Sequence, residues 1–327
     1  MSRCVLAGDV GGTKTLLALY RCENGALGLL REARYASGDY SGLPEIAASF
    51  LGGERPHSAC FGVAGPVADG RCRITNLPWS LEEGQLSHAL GGVPVKLLND
   101  LEAVALGLLR VPATAFHDLN SGRAQAGNIA VIAAGTGLGE AVLHWDGAAY
   151  AAIAGEGGHC DFAPMDAQQD RLLAFLRERF AGHVSYERIL SGHGLRAVYE
   201  FFLGEGLAGP GPGLLEALQD GDPAAAIAQY GLEGRDEACR QALTLFARVY
   251  GQEAGNLALK CLARGGVLLA GGIAPKLLPI LKDGPFMAGF CDKGRFAALL
   301  RDMPVRVCRD AQAPLLGAAA TAQALLR

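Results

Sequence analysis

The chain contains no run of 18 or more apolar residues, so nothing in it reads as a membrane-spanning helix. It also lacks a strong excess of either charge: Lys and Arg number 29, Asp and Glu 33, and the balance at pH 7 is −4. No basic surface dominates, which argues against nucleic acid as a partner. Paired cysteine motifs are missing. The cysteines, an odd number, stand at 4, 22, 60, 72, 160, 239, 261, 291 and 308, and no two have the C-x2-C spacing of a zinc ribbon. Cys4, Cys60 and Cys308 fall in apolar runs, where a thiol behaves as a small hydrophobe, and the pattern is that of a reduced, cytoplasmic protein. Met1-Ser2-Arg3-Cys4 leads straight into an apolar stretch, which leaves no room for a signal peptide. Two familiar phosphate loops are absent as well. Thr13, not Gly, precedes Lys14, so the first Gly-rich turn is no P-loop, and neither turn 8–13 nor turn 135–139 spells G-x-G-x-x-G.

What remains is a chain of 327 residues, 50% hydrophobic and 19% charged, long enough for two domains with sizeable cores. Glycine is abundant at 46 residues, about twice average usage, and fits a protein of tight turns and backbone-lined sites. The stretch Val5–Tyr20 organises the rest. Apolar runs at 5–7 and 16–19 flank Gly8-Asp9-Val10-Gly11-Gly12-Thr13 and read as two strands of a hairpin. Gly11 and Gly12 are expected to allow positive φ and close approach of a ligand. Successive N–H groups there would form a concave donor surface suited to phosphate. Asp9, just before the turn, is placed to hold Mg2+ directly or through water. An ordinary Asp-x-Gly-Gly hairpin is the plain alternative.

Further along, residues 27–35 supply a third antiparallel strand, 43–51 has helical spacing, and 59–63 is a short apolar strand. Residues 81–90 read as a helix, 93–98 as a strand ending at Asn99-Asp100, and 102–109 as a helix. This order belongs to an α/β domain. Residues 128–150 then repeat the layout of 5–30, with strand, Gly/Thr turn, strand, Asp146-Gly147 turn and strand. Such self-similarity implies two related lobes, each presenting a Gly/Thr hairpin. Helical patterns follow at 166–180 and 238–262, with a Gly/Pro-rich surface loop at 204–213 between them. A buried strand at 267–270 runs into Gly271-Gly272, and a last strand at 303–307 precedes a helix at 311–326.

Gly8 to Thr13, Gly62-Val63-Ala64-Gly65-Pro66, Thr75-Asn76-Leu77-Pro78-Trp79, Asn99-Asp100, Gly135-Thr136-Gly137-Leu138-Gly139, Gly155-Glu156-Gly157-Gly158-His159 and Gly271-Gly272-Ile273 together resemble bacterial glucokinase of the proteobacterial type. These motifs come in the right order from about residue 5 to 320. The resemblance implies an α/β fold of two actin-like (ribonuclease H-like) lobes with a cleft between them. Its expected division is 1–110 plus 301–327 as a small domain and 111–300 as a larger α+β domain. It implies that Asp100 takes the proton of a glucose hydroxyl attacking the γ-phosphate of ATP. Asn99-Asp100 read without it is an N-cap for the following helix. Glu156 and His159 lie among glycines, in a loop too flexible for core packing, and are side-chain types that hydrogen-bond a polyol. In the family resembled, residues matching Glu156, His159 and Glu187 bind glucose, and Asn99 and Asp100 complete the pocket. Gly135, Thr136 and Gly137 would cradle phosphates from the second lobe, and Gly271-Gly272 would let adenosine lie against the backbone. Gly137→Val is therefore expected to block nucleotide more than sugar. Lys14 is left out, as a strand residue facing solvent, and Glu140 departs from the small or apolar residue usual after the second turn.

His159 beside Cys160 lacks the partners of a metal site, and no zinc is expected. The partners the resemblance implies are glucose and ATP with Mg2+, and the assembly it implies is a homodimer. Lobe closure over the sugar would keep water from the γ-phosphate. Kinases for another hexose or amino sugar, or a sugar-sensing regulator, are the alternatives. The regulator would need a helix-turn-helix, for which the hairpin at the start leaves no place.

Overall fold

The computed structural model describes residues 3–326; Met1 and Ser2 of the start discussed above, and Arg327, lie outside the described residues. The chain divides into two compact units. One comprises Met1–Ala113, Ala152–Ala154 and Asp310–Arg327, the other Thr114–Ala151 and Gly155–Arg309.

In the first unit, β1 (Arg3–Val10), β2 (Lys14–Glu23) and β3 (Ala26–Ala36) form an antiparallel meander, followed by α1 (Leu43–Leu51) and β4 (Ser58–Val63). A small sheet of β5 (Val67–Ala68), β6 (Arg71–Arg73) and β7 (Ser80–Glu82) comes next, then α2 (Glu83–Ala89), β8 (Val95–Asn99) and α3 (Asp100–Leu108). The main sheet has the order β3-β2-β1-β4-β8, with β1, β4 and β8 parallel.

The second unit opens with β9 (Phe116–Asn120), β10 (Ile129–Ala134) and β11 (Leu138–Trp145); β12 (Tyr150–Gly155) follows, its ends in this unit and Ala152–Ala154 grouped with the first. Five helices follow, α4 (Ala167–Phe180), α5 (Gly192–Gly204), α6 (Pro212–Asp220), α7 (Pro223–Leu232) and α8 (Glu237–Lys260). The unit continues through β13 (Gly266–Ala270), α9 (Leu278–Lys282), α10 (Pro285–Cys291), α11 (Ala297–Asp302) and β14 (Val305–Cys308). Its sheet runs β12-β11-β10-β13-β14-β9. An antiparallel trio followed by parallel strands thus occurs in both sheets, and the repeated hairpin layout read from the sequence is its local trace. Helix α12 (Ala313–Ala324) returns to the first unit.

Strands covered on both faces read as continuous apolar runs, which is why β4 and β13 are buried at every position. In β1, alternation sends Leu6 and Val10 to a core with Leu43, Ile46 and Phe61. It sends Val5 and Ala7 to the opposite face, against Leu315, Ala318 and Ala322. There α3 and α12 cross backbone to backbone. A Cβ on Gly107 would collide with the Ala313 carbonyl, and one on Gly317 with the Ala103 carbonyl. Gly107→Val should therefore destabilise the protein by about 3 kcal/mol, the upper end for overpacking. A urea midpoint unchanged from wild type would contradict this contact.

Several boundaries differ from expectation; residues 81–82, expected in a helix, belong to β7. Helix α3 begins at Asp100 because Asn99 caps it, and α6 already begins at Pro212, a residue whose fixed φ suits a first helical turn.

Candidate active site

The hairpin turn between β1 and β2 is held from behind. Gly11 N–H donates to the Lys14 carbonyl at 2.9 Å, Ser37 Oγ donates to the Gly11 carbonyl at 2.8 Å, and Ser37 N–H to the Thr13 carbonyl at 3.1 Å. Thr13 and Lys14 are exposed. Gly11 and Gly12 do not take positive φ, contrary to expectation. Gly12 is required for a different reason, since a Cβ there would lie 2.8 Å from the Thr75 carbonyl oxygen. Gly8 is a packing glycine, its Cβ direction blocked by Phe61 Cδ1 at 2.5 Å, and Val10 is buried in the core. Asp9 pairs with Leu16 of β2 and Gly62 of β4. Burial raises its pKa, and Lys14 pulls it down by a smaller amount. Lys14 is thus exposed and still close enough to act on Asp9. The carboxylate is short of positive charge, and a hydrated divalent cation fits that shortage.

Asn99 ends β8 and caps α3. Its Oδ1 accepts from Leu101 N–H at 3.0 Å and its Nδ2 donates to the Gly65 carbonyl at 3.2 Å. Asp100 stands half-buried in the first helical turn, Oδ1 accepting from Leu101 N–H at 2.9 Å, where the helix dipole favours a negative charge. Gly62 lets α3 come this close, because a Cβ there would lie 2.8 Å from Ala103 Cβ. The capping and catalytic readings of Asn99-Asp100 therefore fall on adjacent residues.

In the second unit the turn between β10 and β11 closes through Gly135 N–H on the Gly137 carbonyl at 2.8 Å, and Gly192 N–H donates to the Gly135 carbonyl at 3.0 Å. The Cβ direction of Gly135 is open and Thr136 is exposed. Leu138 N–H donates to Glu187 Oε2 at 2.9 Å, and a Cβ on Gly137 would lie 2.5 Å from that same oxygen. Glu187, expected as a sugar contact, thus braces the expected phosphate turn. Gly271 has φ +80°, and its Cβ would strike the Ala134 carbonyl, so the fold itself demands glycine there. Gly272 faces open space, which leaves room beside the backbone.

Glu156 precedes the single-turn helix Gly157–His159, and Glu187 lies in another, Tyr186–Arg188. Phe162 N–H on the Val184 carbonyl at 2.9 Å and Tyr186 N–H on the Cys160 carbonyl at 3.1 Å tie these turns side by side. Glu156 and His159 are exposed. Among the described residues no cluster of three or more His, Cys, Asp or Glu could hold a metal ion.

Residues 6–325 match the sequence profile of the glucokinase family. The chain belongs to that family. A glucokinase of Nostoc sp. strain PCC 7120 is 39% identical over 339 residues, spanning 98% of this chain and 99% of that one. A glucokinase of Yersinia pestis strain Pestoides F is 36% identical over 323 residues, spanning 98% and 96%. The crystal structure of glucokinase from an Antarctic psychrotroph aligns with a TM-score of 0.84 at 28% identity, over 98% of this chain and 99% of that one. The resemblance read from the motifs and its actin-like α/β fold are both borne out.

Glu140, which departs from the family pattern, does not face the phosphate turn. It is buried close to Glu253 of α8, a residue the sequence reading passed over. The signal was present: Glu253 falls on the helical stripe of Phe246, Val249, Tyr250 and Leu257, all buried. Burial, then the charge of Glu253, raises the Glu140 pKa to about 8 from 4.5. The folded protein therefore keeps a proton that the unfolded chain releases above about 4.5, and stability falls as pH rises from there to about 8. Glu140→Gln should lessen that slope by about 1.4 kcal/mol per pH unit. Parallel stability curves for the two proteins would contradict it.

Proposed function

We propose that the protein phosphorylates glucose to glucose 6-phosphate with ATP, Asp100 acting as general base on the attacking sugar hydroxyl. Family membership over residues 6–325 carries the reading, because every motif it relies on falls within that span. Asp100 supports its role by position, a carboxyl group in the first turn of α3, just beyond the end of β8, where the helix dipole favours a negative charge. Glu156, His159 and Glu187 hold sugar hydroxyls, with Asn99 beside the base. The turn at Gly11–Thr13 and the turn at Gly135–Gly137 offer backbone N–H groups to phosphate oxygens, and the open side of Gly272 receives the adenosine. Asp9 would hold Mg2+ through water, and the cation would supply charge compensation for phosphoryl transfer. No zinc enters this reading. The protein is cytoplasmic and acts as a homodimer.

The test is ADP release from Mg-ATP with a panel of hexoses. Fast turnover on glucose is expected. Turnover confined to an amino or N-acetyl sugar would move the substrate, and ATP binding without sugar-dependent turnover would favour a sensor and overturn the proposal.

A further inference from the structure

Glu140 and Glu253 lie beneath the two short turns that carry Glu156, His159 and Glu187. Glu140 Oε2 fills the space a Cβ on Gly157 would need, so the Gly157–His159 turn rests on that carboxyl. From α8, Asn256 Nδ2 donates to Glu253 Oε2 at 2.8 Å and to the Tyr186 hydroxyl at 3.1 Å. Tyr186 opens the turn that holds Glu187. The pair therefore supports one turn by contact and the other through Asn256.

Both carboxyls are buried, Glu140 at 3% exposure and Glu253 at 0%. Glu140 Oε1 and Glu253 Oε1 are both buried without a hydrogen-bond donor from another group, so the two neighbouring carboxyls are accommodated by one proton between them. The surrounding charges agree. Lys260 Nζ lies 3.5 Å from Glu253 Oε1, so one proton and one ammonium neutralise the pair. Lys293, whose pKa burial lowers, also acts on Glu253. Tyr186, Tyr250 and Cys261 face the same acids and are kept neutral by burial. On the two turns above, Glu156, His159, Cys160 and Arg188 are exposed and Glu187 is half-buried. Losing the shared proton to solvent would leave two adjacent buried negative charges, which the site relieves only by parting them.

We propose that Glu140 and Glu253 are positioning residues for the sugar, a carboxyl pair whose single shared proton holds the Gly157–His159 and Tyr186–Arg188 turns in their binding arrangement. The inference rests on the glucose reading above. Deprotonation shifts the support under both turns and weakens sugar binding while leaving the base, Asp100, in place. The effect accordingly falls on KM for glucose rather than on kcat.

The experiment follows KM for glucose and kcat from pH 7 to 9.5 in wild type, Glu140→Gln and Glu140→Ala. Wild-type KM should rise about tenfold per pH unit once the proton is lost. In Glu140→Gln the carboxamide donates permanently to Glu253, and KM should stay level. In Glu140→Ala, which removes the group sharing the proton, KM should already be raised at pH 7. A second readout needs no sugar: amide hydrogen exchange over 155–162 and 184–190 at pH 9 should be faster in wild type than in Glu140→Gln. Equal exchange in the two proteins, or KM profiles that rise in parallel, would overturn the proposal. Different exchange with no sugar-dependent ADP release would uphold the pair's role in holding the turns and overturn the glucose reading instead.

Discussion

Asp100→Asn should lower kcat by about 10²–10⁴, the range for loss of a general base, with glucose binding largely kept. The substitution is nearly isosteric. An amide oxygen still accepts from Leu101 N–H, as Asp100 Oδ1 does at 2.9 Å, and Asn99 continues to cap α3 through its own bond to Leu101 at 3.0 Å. What disappears is the carboxylate proposed to take the proton. Asparagine has no basic oxygen for that step, so the sugar hydroxyl must attack while still protonated. The measurement is a coupled ADP-release assay beside calorimetric titration of glucose. A near-normal rate would remove Asp100 from the mechanism, and lost glucose binding with kcat kept would make it a sugar ligand only.

Gly137→Val should raise KM for glucose about 10- to 150-fold as well as weakening ATP. Read from sequence alone, this substitution strikes nucleotide more than sugar. On the proposed roles the two are coupled, because the Cβ of residue 137 would lie 2.5 Å from Glu187 Oε2. Valine must push the carboxylate off Leu138 N–H, a charge-assisted bond of 2.9 Å worth about 1.5–3 kcal/mol. That energy sets the range given for KM, at 1.4 kcal/mol per decade. Unchanged thermal unfolding would exclude a folding defect as the cause. A rise in KM for ATP alone would show that Glu187 has no part in holding the sugar.

The sheets were legible where their signal is local. β4 and β13 are unbroken apolar runs between turn residues, and the strand-turn-strand layout at 5–30 recurs at 128–150 because both units build their sheets around an antiparallel trio. The helix stripes of α4 and α8 were readable for the same reason. β9, at the far edge of its sheet, was missed: its residues Phe116–Asn120 are all at least partly exposed and show no alternation. Several glycines were misread in cause. Gly11 and Gly12 look like positive-φ residues, whereas Gly12 answers to a neighbouring carbonyl and Gly8 to a phenylalanine ring from β4. Composition and spacing contain no record of which distant atom sits where a Cβ would go.

The sequence by itself determined the family, the α/β class and the candidate residues, since motif order, apolar periodicity and turn chemistry are written in stretches of a few residues. Only the tertiary structure decided what those residues touch. It joined Glu140 to Glu253 across more than a hundred positions, set Glu187 on the turn of Gly137, and brought Gly62 under Ala103 so that Asp100 could open α3. Burial and proximity between remote segments set the charge state and the partner of a side chain. Those quantities come into existence only when the chain has folded.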